Sequence, residues 1–232
     1  MKLSGKTVSA VVGVVVVAAA IVAVSTSGSS PADTTVATTL PASDSTTPGN
    51  SPAPDSVPPA EYQPVRITGD ALPPMPEAGA DAGIGAMVPV VNGYNFDGDP
   101  VSLDIEALGK PTMVVFLAHW CPHCNREIPR ILEWAATNGV PEGLRIVGVA
   151  TGSRNDYPNW PPSAWLTDME WRWEKLADTQ DGQVFGAYGG TSFPTMVLVG
   201  PDGTLKNRFS GEVEIADLDR LVREFVNSVT KA

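Results

Sequence analysis

The strongest constraint on the fold lies between Pro111 and Gly139. The stretch "PTMVVFLA", Pro111 to Ala118, is an unbroken apolar run of strand length, without the polar alternation of a half-exposed strand. A run of this kind is buried on both faces, as in a parallel or mixed sheet covered by helices on each side. Behind it stand His119-Trp120-Cys121-Pro122-His123-Cys124, then "REIPRILEWAATNG", whose Ile128, Ile131, Leu132 and Ala135 recur at helical spacing up to Gly139. "GLRIVGVAT", Gly143 to Thr151, reads as a second buried strand. The expected unit is strand, helix, strand with a right-handed crossover, and the cysteines fall at its first strand-to-helix junction.

Around this unit, "FDGDP" between "MVPVV" and "VSLDI" predicts an N-terminal β-hairpin. "SFPTMVLVGPDGTLKNRFSG" predicts two strands turning at Pro201-Asp202-Gly203. The chain closes with an amphipathic helix over Val213 to Val229, with Leu218, Leu221, Val222 and Phe225 on one face.

Both cysteines and both histidines of the 232-residue chain lie in the junction. At a helix N-terminus, unsatisfied N–H groups and the macrodipole stabilise a thiolate, which makes Cys121 the attacking sulfur. Cys124, three residues on, lies on the same helical side and deeper, suited to resolving a mixed disulfide. Pro122 fits the first helical turn, where its missing N–H is no loss. His123, when protonated, adds positive charge beside the Cys121 sulfur, and His119 sits on the strand side.

Other readings of the four residues stand beside this one. A zinc site of His119, Cys121, His123 and Cys124 needs four convergent ligands from a junction that points neighbours apart. Attachment of c-type haem needs a histidine directly after the second cysteine, and Asn125 stands there. A purely structural disulfide across so short a loop constrains the unfolded chain little.

"FLAHWCPHC" followed by "TSFPT" resembles the thioredoxin fold, a central mixed sheet flanked by helices. The resemblance covers roughly Pro89 to Val229. It implies that Phe193-Pro194 is a cis peptide facing Cys121 and that these two residues line the substrate site. It also implies that Trp120 belongs to the active site and that Cys121 and Cys124 form a redox-active disulfide without a bound cofactor. An exported domain with an N-terminal hairpin resembles the TlpA-like branch, which includes disulfide reductases of cytochrome c maturation. Val115 stands where many thioredoxins carry a buried aspartate, whereas Glu127 stands where TlpA-like proteins carry an acid near the cysteines. One helical turn from Cys124, Glu127 is placed to exchange a proton with that thiol. Pro129 deprives the Asn125 carbonyl of its partner, so a bent helix is expected. The insertion Ser153 to Trp173 carries four of the six tryptophans, read as packing of an inserted helix or as a surface for unfolded substrates.

Lys2 and Lys6 precede an uncharged apolar run, Val8 to Val24, and no basic residue follows until Arg66. Residues 1–25 are therefore read as a membrane anchor or signal segment with the N-terminus cytoplasmic and the remainder outside. Residues 26–62, rich in Ser, Thr, Pro and Ala, read as a disordered linker, and residues 63–232 as the thioredoxin-like domain. The net charge of −11 argues against nucleic acid as a partner. The expectation is a membrane-tethered thiol–disulfide oxidoreductase that promotes disulfide formation in exported proteins, recharged by a membrane redox partner. A disulfide reductase of cytochrome c maturation, and a redox-inert binding or metal-delivery module, are the alternatives.

Overall fold

The computed structural model describes residues 56–230. The predicted membrane segment and most of the linker lie outside the described residues. Among the described residues no helix is long and apolar enough to cross a membrane. The predicted thioredoxin-like α/β fold is present. Strands β1 (Arg66–Thr68), β2 (Val90–Tyr94), β3 (Pro100–Ser102), β4 (Thr112–Leu117), β5 (Arg145–Ala150), β6 (Glu174–Ala177), β7 (Thr195–Val199) and β8 (Leu205–Ser210) form one mixed sheet. Its order is β1-β2-β6-β5-β4-β7-β8, with β3 paired to β2. The helices are α1 (Ile105–Leu108), α2 (Pro122–Thr137), α3 (Pro162–Asp168), α4 (Gln183–Ala187) and α5 (Ile215–Thr230).

β4 lies at the centre, parallel to β5 and antiparallel to β7. Its pleat explains the unbroken apolar run. Met113, Val115 and Leu117 face a core shared with Ile128, Ile131 and Trp134 of α2 and Leu218, Val222 and Phe225 of α5. Val114 and Phe116 face a second core with Leu103, Ile105, Val184 and Tyr188. Each of these five strand side chains is fully buried, and complete burial of a side chain of this size is worth about 1.5–3 kcal/mol. β4 is thereby fixed between two cores, and the residues that follow it are delivered to one place.

The predicted hairpins are β2–β3 and β7–β8, both antiparallel. β6 escaped the sequence reading because only Leu176 and Ala177 of its four residues are buried. The predicted insertion holds α3, and its tryptophans serve packing: Trp165 and Trp171 are buried in the core beneath α2. Gly148 on β5 makes room for the second, since a Cβ there would stand 2.7 Å from the Trp171 indole. Residues before position 63 also belong to the packed structure. The Val57 N–H donates to the Gly98 carbonyl, the Ala60 N–H to the Phe96 carbonyl, and Ser163 Oγ to Glu61.

Candidate active site

β4 ends at Leu117, and four residues later Cys121 caps α2 in an extended conformation, with Pro122 at the first helical position. Cys121 is 5% exposed and Cys124 is fully buried, and both are free thiols. The Cys124 Sγ accepts the Ala118 N–H at 3.5 Å, and burial pushes its thiol far above the ordinary range. The two sulfurs are thus unequal: one stands at the helix mouth, the other beneath it in the core.

Phe193-Pro194 is a cis peptide, as the sequence resemblance implies, and the Cys121 Sγ approaches the Phe193 carbonyl at 3.7 Å. Trp120 packs edge-on against Phe193 at 5.8 Å and donates its indole N–H to the Gly152 carbonyl. Exposed Tyr157 also packs edge-on with Trp120, at 5.5 Å, and Phe185 stacks on Phe193 at 4.5 Å. Tyr157, Trp120, Phe193 and Phe185 therefore make a continuous aromatic wall beside Cys121. Asp178, buried, anchors the far end of the wall through the Val184 and Phe185 N–H groups and the Thr151 hydroxyl.

Glu127 is fully buried. Its Oε2 accepts the Val213 N–H at 3.1 Å, while its Oε1 has no hydrogen-bond partner. Burial raises it to about 7, against the Val213 hydrogen bond and the Arg130 charge, which lower it. A carboxyl that titrates near neutrality one turn below Cys124 is matched to moving a proton to and from that thiol. Pro129 lies inside α2 as predicted.

The two histidines take partners that local spacing does not show. His119 does not address the sulfurs. It is fully buried, with Nδ1 at 2.6 Å from the Pro158 carbonyl and Nε2 accepting the Arg154 N–H at 3.0 Å. The Arg154 N–H can only donate, so Nε2 is the bare nitrogen and Nδ1 carries the proton: His119 is a neutral clamp on the loop that carries Tyr157. Burial lowers its pKa. A neutral buried histidine contributes stability above its unfolded pKa, near 6.5, and that contribution is lost as pH falls below it. A His119→Asn variant is therefore expected to cost about 1–2 kcal/mol at pH 8 and to flatten the decline below pH 6.5. Hydrogen exchange checks the cause: the Arg154 amide loses protection in the variant.

His123 is exposed, and its ring is held by an acid and an arginine rather than standing alone beside the sulfur. Its Nδ1 is 2.7 Å from Glu212 Oε1, an oxygen that also takes Arg126 Nε at 2.9 Å. With His119 committed to the loop and His123 to Glu212, the four residues of the zinc reading do not converge, and among the described residues no His, Cys, Asp and Glu cluster is built for a metal. Asn125, which ruled out haem attachment, has a role of its own: it donates to the Cys121 carbonyl at 2.9 Å and accepts the Trp165 indole N–H at 2.8 Å, tying the motif to α3. Glu212, Asp178 and Tyr157 were not found from sequence because no motif marks them; Glu212 meets His123 across 89 positions, Tyr157 meets Trp120 across 37, and Asp178 meets Thr151 across 27.

A helix-capping cysteine, a buried partner one turn on and a cis-proline against the first sulfur define the class: a thiol–disulfide oxidoreductase domain of the thioredoxin superfamily. The chain belongs to the AhpC/TSA family, whose model matches residues 84–208. Curated relatives include the soluble secreted antigen MPT53 of Mycobacterium tuberculosis and Mycobacterium bovis, 30% identical over 114 residues. The match covers 49% of this chain and 58% of theirs, so the chain spans little over half the length of those relatives. Among solved structures, a thiol:disulfide interchange protein DsbE of Chlorobium tepidum superposes with a TM-score of 0.51 at 20% identity, over 63% of this chain and 96% of its own. The thioredoxin domain of a Bacteroides vulgatus thiol–disulfide oxidoreductase is 28% identical, with a TM-score of 0.49, over 62% of this chain and 98% of its own.

Proposed function

We propose that the protein is a membrane-tethered oxidoreductase that forms disulfides in exported proteins through Cys121 and Cys124. The observation that carries the reading is the pairing of Cys121 at the α2 N-terminus with a Cys124 whose thiol is pushed up by burial. A substrate thiolate attacks the Cys121 sulfur, the less deeply buried of the oxidised pair. The Cys121–Cys124 bond breaks, and Cys124 leaves and takes a proton, which Glu127 is placed to supply. A second substrate thiolate then attacks the substrate sulfur of the mixed disulfide and expels Cys121 as a thiolate. The substrate dithiol is oxidised to a disulfide and the domain's disulfide is reduced to a dithiol, which a membrane redox partner reoxidises.

Cys121, Cys124 and Glu127 carry the chemistry in this reading. Pro122 fixes the helix entry, His123 and Trp120 shape the mouth, and Phe193 and Pro194 hold the substrate chain. The apolar Val8 to Val24 run, with Lys2 and Lys6 ahead of it and no basic residue after it until Arg66, supports tethering with the domain outside the cytoplasm, and the mycobacterial relatives are named as secreted. A reductase, such as one serving cytochrome c maturation, is the second reading, and Glu212 favours it by offsetting the positive charge next to Cys121. The two are separated by giving the full chain in detergent, without other redox agents, a reduced secreted protein in one arm and insulin in the other. Disulfide formation by the oxidised chain that outpaces insulin reduction by the reduced chain supports the proposal. The reverse order overturns its direction in favour of the reductase.

A further inference from the structure

Three consecutive residues between β8 and α5 touch three different parts of the active site. Gly211, at φ +90°, donates its N–H to the Pro194 carbonyl at 2.9 Å. Glu212 reaches α2, where its Oε1 meets His123 Nδ1 at 2.7 Å and Arg126 Nη2 at 2.7 Å, and its Oε2 meets Arg130 Nη1 at 3.2 Å. Val213 gives its N–H to Glu127. The loop thus joins the cis-proline, the residues around the cysteines and the buried acid. Glu212 occupies its middle.

We infer that Glu212 is a positioning residue that sets the redox potential of the Cys121–Cys124 pair by neutralising the Arg126 charge beside the motif. The inference rests on the dithiol/disulfide reading above. Arg126 keeps its charge at any working pH, and its Nη2 lies 3.0 Å from Nδ1 of His123, two residues from Cys121. Uncompensated, the Arg126 guanidinium, in the second turn of the helix that Cys121 caps, stabilises the Cys121 thiolate, hence the reduced form, and makes the disulfide a stronger oxidant. Glu212, paired with Arg126, holds that tendency down. Its carboxyl is pulled to about 2, first by Arg126 and then by His123, so it stays ionised wherever the enzyme works. Glu214 is a built-in contrast: equally acidic in type and two residues away, it is 78% exposed and meets Arg130 at 3.7 Å, with no ion pair to Arg126 or His123 among the described residues.

The test is equilibration of the full chain in detergent with glutathione buffers, the oxidised fraction being counted by thiol alkylation and mass. Glu212→Gln keeps the shape and the acceptor oxygen. It is expected to shift the exchange constant toward a more oxidising disulfide by three- to ten-fold, about 15–30 mV at about 30 mV per tenfold. Arg126→Gln shifts it in the opposite direction, and Glu214→Gln leaves it within twofold of wild type. A Glu212→Gln potential equal to wild type, or shifts of the same sign for Glu212→Gln and Arg126→Gln, overturns the inference while leaving the function intact. A wild-type chain that forms no Cys121–Cys124 disulfide at any glutathione ratio overturns both.

Discussion

Replacing Cys124 with alanine is expected to turn the protein into a trap that holds up to one substrate per chain as a mixed disulfide on Cys121, with turnover abolished. Cys121→Ala is expected to abolish turnover too and to trap nothing. The asymmetry follows from where the two sulfurs sit. Cys121 caps the helix at the surface of the aromatic wall, whereas Cys124 has no exposed area and lies between Ala118 and the core. A mixed disulfide therefore forms at Cys121, and only Cys124 is near enough to displace it. In the Cys124→Ala chain nothing resolves it. In the Cys121→Ala chain the remaining thiol is sealed from substrate, and burial makes its thiolate scarce. Non-reducing gels after incubation with a substrate of mismatched disulfides read the outcome directly, and equal trapping by the two variants would show that the assignment of sulfurs is wrong.

The second large effect is expected at Glu127. Its folded-state value of about 7 lies above the ordinary 4.5. The folded protein therefore binds more protons than the unfolded chain between those values. The contribution of Glu127 to stability is full below about pH 4.5 and declines as pH rises, levelling off once Glu127 has ionised above about 7. A difference of this size corresponds to about 3 kcal/mol at its ceiling. Glu127→Gln removes the titration, still accepts the Val213 N–H, and is expected to be more stable than wild type at pH 8 by about 2 kcal/mol. The same variant is expected to exchange disulfides about 100-fold more slowly, because the Cys124 leaving thiolate loses its proton source. A gain in stability with a loss of rate is the signature of a group kept for chemistry at the expense of the fold. Denaturant melts between pH 5 and 8 and a pH–rate profile check both halves; a variant that keeps the wild-type inflection near 7 would remove Glu127 from the mechanism.

The parts of this site that the sequence made legible are those set by local spacing. The apolar run of β4 announced a doubly buried strand, and the Cys-Pro-His-Cys motif directly behind it had to open a helix. Pro194 was legible only through resemblance to a family, yet it lies where that resemblance implies, against Cys121. Glu127 was legible as a type and a position, but its burial was not, because the lid that seals it is Val213, 86 positions away. The partners of His119 and His123 were out of reach for the same reason. Spacing placed both beside the cysteines, while their partners, Pro158 and Glu212, come from a loop and a helix approach 39 and 89 positions distant. Charge at such a site is decided by long-range neighbours, which a motif does not encode. β6 was missed on different grounds: as a short strand with two buried residues, it has too little pattern to stand out.

The central claim is that Cys121 and Cys124 work as one reversible two-electron couple. The measurement that tests it most directly follows the wild-type full chain across glutathione buffers with alkylation and mass readout. The account predicts one transition, in which both thiols disappear together into an intramolecular disulfide, and the oxidised chain then hands that disulfide to a reduced protein in a one-to-one ratio. Thiols that stay free throughout, or oxidation that stops at a glutathione adduct on Cys121, would contradict it.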